Sequence, residues 1–326
     1  MRAVVIPKAG EPEVMQLVER PTPIPKPGEV AIDVAYCGCN WGDTMMRRNT
    51  YPHPVTYPVV PGFEVSGRVS AIGRGVAGIR EGDRVAAYLS EDGGYAETCI
   101  APAECVIPLP PGMTLDVAAA FPVQAITAYH LLHTIGRVQP GWVVLIHAIG
   151  GGVGLCCTQI AVKAGATVIG TVGTSGKERR PLELGATRVI HRGHGDFPAA
   201  CVEVSAGKGV DLVLDSVGAG TLDRSFTALR NLGHVVSYGE ADGRPFANLW
   251  ERLVPKSLTF TRFHLGHLDV RSSSWRYGVE HVLEGLKQGW LKMTIAGTYP
   301  LEKAAEMHSH LESRQVSGKL LLAVRP

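Results

Sequence analysis

Neither sign of charge dominates this chain. Lysine and arginine total 32, aspartate and glutamate 30, and the formal net charge is +2. Such a balance gives no electrostatic footprint for a nucleic-acid backbone or an anionic membrane. Cysteine is sparse and irregularly spaced, with seven in 326 residues. An odd number without a repeating pattern reads as reduced thiols, not a disulfide framework, and points to the cytoplasm. The opening MRAVVIPKAGEPE has too short an apolar run for a signal peptide. No internal repeat, low-complexity tract or polar linker interrupts the chain. One uncharged stretch, Trp142 to Val162, reaches about the length of a membrane span. Gly150, Gly151 and Gly152 at its centre would weaken a transmembrane helix. A short buried strand (Val143 to Ile146), a glycine turn and a helix starting near Gly152 fit better.

What is present is ordinary globular material, 45% hydrophobic and 19% charged. The length favours two domains. The first 120 or so residues carry short β-prone runs such as Val30 to Val34 and Asp83 to Tyr88, bounded by Pro27-Gly28, Pro61-Gly62, Glu81-Gly82 and Pro111-Gly112. That texture predicts a mostly β, barrel-like domain. From residue 124 strand-like and helical runs alternate, which predicts βαβ units and a doubly wound parallel sheet. A helix-rich tail follows residue 264, ending in a strand over Lys319 to Val324.

His147-Ala-Ile-Gly-Gly-Gly-Val-Gly154 lies on the first strand-to-helix turn of the α/β half. A helix N-terminus offers N–H groups and a positive dipole end to a pyrophosphate if side chains leave room. Gly151 and Gly154 match the second and third glycines of G-x-G-x-x-G, while Ile149 stands at the first. An NAD site would be expected to carry an acidic residue after the next strand. Here that segment reads Val168-Ile-Gly-Thr-Val-Gly-Thr-Ser-Gly-Lys177. Thr174, Ser175 and Lys177, with Arg192 after the following strand, suit a 2′-phosphate, so NADPH is favoured over NADH.

With these residues in hand, the chain resembles the quinone oxidoreductase group of the medium-chain dehydrogenase/reductase superfamily, which includes zeta-crystallin. The resemblance runs end to end, through CNWGDTMMRRNTYP, PGFEVSGRVSAIGRGVAGIREGDRVA, LIHAIGGGVG, GTVGTSGK, GKGVDLVLDSVG and QVSGKLLL. It implies a GroES-like β-barrel catalytic domain (1–123 and 264–326) with a Rossmann domain (124–263) between its parts. It implies an NADPH-dependent reductase that passes hydride to a quinone or other electron-poor enone, and a homodimer. On the matching positions, Asn40 would meet the nicotinamide, with Thr127 and Tyr129 along the ribose. Gly151, Gly152 and Val153 would contact the pyrophosphate, and Thr174, Ser175 and Lys177 the 2′-phosphate. Val217, Tyr238 and Gly239 would form loops over adenine and nicotinamide, and Arg262, Phe263 and Lys319 would close the site. Departures from the family pattern are Met45 and Arg192, where tyrosines are usual, Phe263 in place of proline, and the pair Trp41-Gly42.

Zinc enzymes share this fold, but catalytic zinc needs about three N or S ligands. Asn40 and Phe63 replace two of the family's ligands, and Phe121 to Gln124 supplies no cysteine. The four-cysteine structural lobe shrinks to the link Leu89 to Gly94. Cys37, Cys39 and Asp43 could be imagined around a metal, but buried thiols are expected there. His308 and His310, two apart on a helix, do not share a face and are expected at the surface. Cys156 and Cys157 read as core fillers. Without metal, positioning and the cofactor must carry the chemistry. Asn40, Tyr51, Tyr57 or solvent could serve a developing oxyanion. Alternatives are an enoyl-thioester reductase, with Arg47 and Arg48 offering a basic rim, and a non-catalytic cofactor-binding role of crystallin or RNA-binding type.

Overall fold

A computed structural model describes residues 1–90, 93–244 and 246–325. Of the expected Leu89 to Gly94 link, Glu91 and Asp92 lie outside the described residues. The chain forms two compact units, Met1–Val123 with Val270–Val279 and Met293–Pro326, and Gln124–Asp269 with Glu280–Lys292. Residues 264–269 and 280–292 therefore group with the second unit, where His281 packs on Tyr129 and Trp290.

In the first unit β1 (Arg2–Val5) and β2 (Gln16–Glu19) form an antiparallel pair. The main sheet uses β3 (Glu29–Cys39), β4 (Glu64–Ile72), β5 (Arg84–Tyr88), β6 (Thr98–Pro102), β7 (Val106–Pro108), and two late strands, β14 (Ile295–Pro300) and β15 (Lys319–Ala323). Their order is β14-β15-β3-β4-β5-β7, with β6 also pairing β3. β3 is the hub: one end pairs β6 and the other β15. Its Val, Ile, Ala and Cys side chains are buried on both faces, as a central strand requires. Cys37 and Cys39, two apart on this strand, lie in the barrel core with Val65, Val85 and Leu320. Helix α1 (Trp41–Arg47) follows β3 directly, and α2 (Leu115–Ala120) packs on the same strands.

The second unit opens with α3 (Gln124–Tyr129), whose last turn widens into a π-helical segment, His130–Ile135, with Gly136 N–H bonded to the Leu131 carbonyl at 2.9 Å. The sheet is wholly parallel, in the order β10-β9-β8-β11-β12-β13. Its strands are β8 (Val143–His147), β9 (Thr167–Val172), β10 (Arg188–His191), β11 (Val210–Asp215), β12 (Leu229–Ser237) and β13 (Thr259–Arg262). Helices α4 (Gly152–Lys163), α5 (Arg179–Glu183), α6 (Phe197–Val204), α7 (Ala219–Ala228) and α8 (Leu249–Leu253) lie between them, and α9 (Ser273–Gln288) and α10 (Ala304–Glu312) come later in the chain. Successive strands run outward from β8 on one side and from β11 on the other, so the strand order reverses between these two neighbours. Ligands of such sheets bind outside the carboxyl ends at that switch point.

Trp142 to Val162 divides into β8, a turn and α4; among the described residues no helix is long and apolar enough to cross a membrane. The turn depends on glycines the chain does and does not have. Ile149, at the place of the missing first glycine, is fully buried, and it fits because β9 carries Gly170 opposite it. A Cβ on Gly170 would lie 2.3 Å from Ile149 Cδ1 and 2.6 Å from its Cβ. Gly154 is required for a different reason, since a Cβ there would lie 2.6 Å from the Ile149 Cα.

Beneath the turn, His147 at the end of β8 bonds Thr171 Oγ1 at 2.7 Å and Ser225 Oγ at 2.8 Å, and sits 3.8 Å from Asp215. Burial lowers His147 to about 3 and raises Asp215 to about 6. Their contact is therefore not an ion pair at neutral pH. Asp215 is held by the N–H groups of Val217 and Gly218 and by the Thr221 hydroxyl.

Two outcomes follow from this packing. Gly170→Ala should cost about 1–3 kcal/mol by overpacking in the native background, and less in an Ile149→Ala background, where the clashing Cδ1 is gone. Urea titration of both single variants and the double variant checks this, and an equal cost of Gly170→Ala in the two backgrounds would show that the clash lies elsewhere. The second outcome concerns pH. His130, His147 and His308 are lowered by burial to about 4, 3 and 3, so the unfolded chain takes up their protons first. Stability present above the ordinary histidine value of 6.5 is lost as pH falls through that window. Asp215 acts oppositely: its contribution is full below 3.8 and is lost as pH rises through about 6, so it offsets one histidine. The thermal midpoint should still fall from pH 6.5 to 4.5 because two buried histidines remain uncompensated; a flat profile would contradict it.

Candidate functional site

The expected site residues fall in both units. In the parallel-sheet unit Gly151 is the N-cap of α4, and Gly151, Gly152 and Val153 are all partly accessible. A Cβ on Gly151 would meet only the Ala148 carbonyl, at 3.2 Å, so the approach to the first N–H groups of the helix is kept open. A Cβ on Gly152 would instead lie 2.1 Å from the carboxamide Oε1 of Gln124, which is buried. Gln124 is a residue the sequence reading noted only for not being a cysteine; a polar side chain buried against a glycine turn leaves no local signature.

The two cations expected at the 2′-phosphate lie on glycine backbone. Lys177 passes over Gly150, where a Cβ would be 3.0 Å from its Cβ and 3.3 Å from its Cε. Arg192 lies over Gly173, where a Cβ would be 2.4 Å from a guanidinium nitrogen. Thr174 and Ser175 follow Gly173 on the same loop, Ser175 exposed and Thr174 half-buried. The structure thus gathers Gly150, Lys177, Gly173 and Arg192 at the carboxyl ends of β8, β9 and β10.

The remaining expected contacts are more constrained. Val217 and Tyr238 belong to facing loops, with the Tyr238 N–H bonded to the Asp215 carbonyl at 2.8 Å and the Asp242 N–H to the Val217 carbonyl at 3.0 Å. Gly239 backs onto Ser216, where a Cβ would lie 3.1 Å from the carbonyl oxygen. Arg262 is committed to Glu240, at 2.6 Å through Nε and 3.1 Å through a terminal nitrogen. Phe263 is buried, its ring 6.4 Å from His130. Thr127 is buried in α3, and Tyr129 packs among His130, His133 and His281.

In the barrel unit Asn40 follows β3 and caps α1, and its backbone N–H donates to Asp43 Oδ2 at 2.7 Å. The other Asp43 oxygen accepts from the Gly62 N–H at 3.0 Å, joining α1 to the turn before β4. The Asn40 side chain faces two fully buried charges. Its Nδ2 donates to Glu64 Oε1 at 2.8 Å, and its Oδ1 accepts from Lys319 Nζ at 2.7 Å. Lys319 is itself ion-paired with Glu64, whose second oxygen accepts the Val123 N–H at 2.7 Å. The sequence reading placed Lys319 against the cofactor and gave Glu64 no role.

Tyr51 packs 5.6 Å from Phe63 between ring centroids, and both lie over Gly42, where a Cβ would be 3.3 and 3.1 Å from their rings. The Tyr57 hydroxyl donates to the Met46 carbonyl at 2.5 Å, so it is committed to the loop. Two surface expectations are corrected. His308 is fully buried, bonded to the Tyr95 hydroxyl at 3.1 Å, because α10 turns that face onto the barrel core. Arg47, expected as part of a basic rim, is also buried, and both Arg47 and Arg48 contact Glu312, at 2.5 and 3.2 Å.

The residues at the zinc relatives' ligand positions do not fit a metal. Asn40 and Phe63 provide no strong ligand, and the Lys319 ammonium already occupies the carboxylate of Glu64. Cys37 and Cys39 are buried, and burial raises both thiols, helped by Asp43 and Glu64, so neither is poised as a thiolate.

Comparison with known proteins agrees with this geometry. Residues 26–111 match the family model for the alcohol dehydrogenase GroES-like domain, and residues 152–284 that for zinc-binding dehydrogenase. The chain is 36% identical to 2-haloacrylate reductase of a Burkholderia species, over 98% of each chain. It is also 36% identical to quinone oxidoreductase 1 of Escherichia coli, over 97% of each. The structure of Escherichia coli quinone oxidoreductase complexed with NADPH superposes with a TM-score of 0.92 at 33% identity, covering 99% of this chain and 100% of that one. At these identities and coverages the chain belongs to the zinc-independent quinone oxidoreductases of the medium-chain dehydrogenase/reductase superfamily.

Proposed function

We propose that this protein is an NADPH-dependent reductase that delivers hydride, without a metal, to a quinone or another electron-poor enone. The observation that carries the reading is the pair of cations, Lys177 and Arg192, laid on Gly150 and Gly173 beside the accessible N-terminus of α4. A pyrophosphate is suited to the helix N–H groups, and a dianionic 2′-phosphate to Lys177, Arg192, Thr174 and Ser175. NADPH supplies the reducing equivalent when bound. The chain's own part is to hold and orient. Asn40 presents an amide whose two ends are fixed by Glu64 and Lys319, and Tyr51 with Phe63 provides aromatic surface suited to a flat conjugated acceptor. The 2-haloacrylate reductase relative makes a small activated alkene an equally suitable acceptor class. The commitment of Arg47 and Arg48 to Glu312 removes the basic rim that a thioester carrier would need from them. The edge position of β13 and the exposure of Trp250 and Val254 support the homodimer expectation.

Steady-state oxidation of NADPH and NADH, with an ortho-quinone and with a 2-enoyl-CoA, tests the reading. Turnover of NADPH with the quinone is expected, and turnover with neither acceptor would sink it. Lys177→Ala together with Arg192→Ala should narrow the ratio of kcat/KM for NADPH over NADH by roughly tenfold or more, as loss of charge-assisted hydrogen bonds implies. An unchanged ratio would put the 2′-phosphate elsewhere.

A further inference from the structure

Tyr129, His133 and His281 set three rings against one another within the parallel-sheet unit. Ring centres are 5.0 Å apart for Tyr129 with either histidine and 5.3 Å for the two histidines, whose planes meet at 63°. His133 lies in the π-helical widening after α3, a feature often found at functional sites. His281 comes from α9, far along the chain, with its ring 5.3 Å from that of Trp290. Aromatic packing accounts for Tyr129 and Trp290. It does not account for the histidine nitrogens. Both histidine rings are half-exposed, yet their Nε2 atoms are shut off from solvent and have no hydrogen-bond partner among the described residues. Buried polar atoms without partners are costly and rare in native structures, and here two stand on adjacent rings.

Burial, and then the neighbouring His281, lowers His133, while burial and then the Lys163 ammonium lower His281. Both rings are therefore neutral at neutral pH, and in the Nδ1–H tautomer each keeps a lone pair on Nε2. A divalent metal takes an imidazole nitrogen at about 2.0–2.1 Å with tetrahedral angles, which sets two ring centres roughly 5 Å apart. The 5.3 Å between His133 and His281 matches that spacing. We infer that His133 and His281 together bind a late first-row divalent cation, of the Zn²⁺, Cu²⁺ or Ni²⁺ class, through their Nε2 atoms, with water at the remaining positions. None of the zinc relatives' ligand positions takes part. Imidazole nitrogen suits these ions, whereas Mg²⁺ and Ca²⁺ need oxygen ligands. The half-exposed rings give the ion its route from solvent, and the seven cysteines are buried, so no surface thiol competes for it. The Lys163 ammonium, held 5.6 Å over the Trp290 ring, opposes a cation here and limits the affinity. A bound ion would tie the π-helical segment to α9. The inference does not depend on the proposed reductase activity.

The test is calorimetric titration of the chelator-treated full chain with ZnCl₂, for the native protein and for His133→Gln and His281→Gln. The native chain should take up Zn²⁺ at a site that each variant weakens by at least the roughly 10–100-fold that loss of a ligand's supporting partner costs. The double variant should fall little below the weaker single one, since one remaining imidazole no longer makes a site. Affinity of the native chain should also drop as the pH is lowered and protons compete for the two rings. Thermal melting without metal checks that the variants fold. A second measurement needs neither histidine variant. Cu²⁺ added to the native chain should quench the fluorescence component that Trp290→Phe removes, because that ring lies 5.3 Å from His281. The inference is overturned if the native chain takes up no Zn²⁺, or if both histidine variants bind it as the native chain does, which would place the ion on other side chains. Cu²⁺ binding that leaves the Trp290 component unquenched would overturn it as well.

Discussion

An ammonium and a carboxylate buried together make a demand that much of the barrel unit meets. Desolvating two charges costs several kcal/mol each, and their attraction repays it only where every remaining donor and acceptor is satisfied. Glu64 has its second oxygen on the Val123 N–H, and Lys319 has its second partner in Asn40. Gly38 must lack a side chain, and β15 must pair β3 in the one register that puts residue 319 opposite residue 40. A shift of one residue would turn the lysine to the other face of the sheet. The last strand of the chain is thus not simply an addition to the barrel. It delivers the cation that completes a polar cluster begun some 250 residues earlier.

The same cluster explains how a fold shared with zinc enzymes can dispense with the metal. A cation near the reacting centre fixes the orientation of neighbouring dipoles whether it is an ion or an ammonium. The ammonium, however, has no open coordination position and no bound water to acidify. It can orient an amide but cannot polarise a carbonyl as a Lewis acid would. Chemistry confined to orientation suits acceptors that are already electrophilic. On the proposed reading, Asn40 and Phe63 at the ligand positions go together with acceptors that need no Lewis acid.

How much was legible in the sequence follows from how local each feature is. The parallel sheet and the glycine turn are written in short-range patterns, a buried strand followed by glycines and a helix, and the fold agrees with them. The compensation of Ile149 by Gly170 is not, because it joins residues on different strands and only a pairing register reveals it. Helix spacing put His308 at the surface and the charge of Arg47 suggested a basic rim, yet each is buried by a partner distant in sequence, Tyr95 and Glu312. The π-helical widening at His130–Ile135 likewise carries no composition signal that separates it from an α-helix. Resemblance supplied Asn40 and Lys319 as names; their mutual contact, and the part of Glu64 in it, came from geometry.

That contact also bears on why Asn40, and not another polar residue, stands at the former ligand position. An aspartate would place a second carboxylate beside Glu64 with one ammonium to serve both, and would lose the N–H that Glu64 accepts. A serine could not reach both charges, and a histidine would offer its donor and acceptor at opposite ends of a ring, too far apart to close the triangle. The asparagine amide is short, uncharged and able to accept from a cation while donating to an anion through two atoms on one carbon. With the ion pair buried beside it, the identity of the residue between pair and solvent is narrowly determined by hydrogen-bond complementarity.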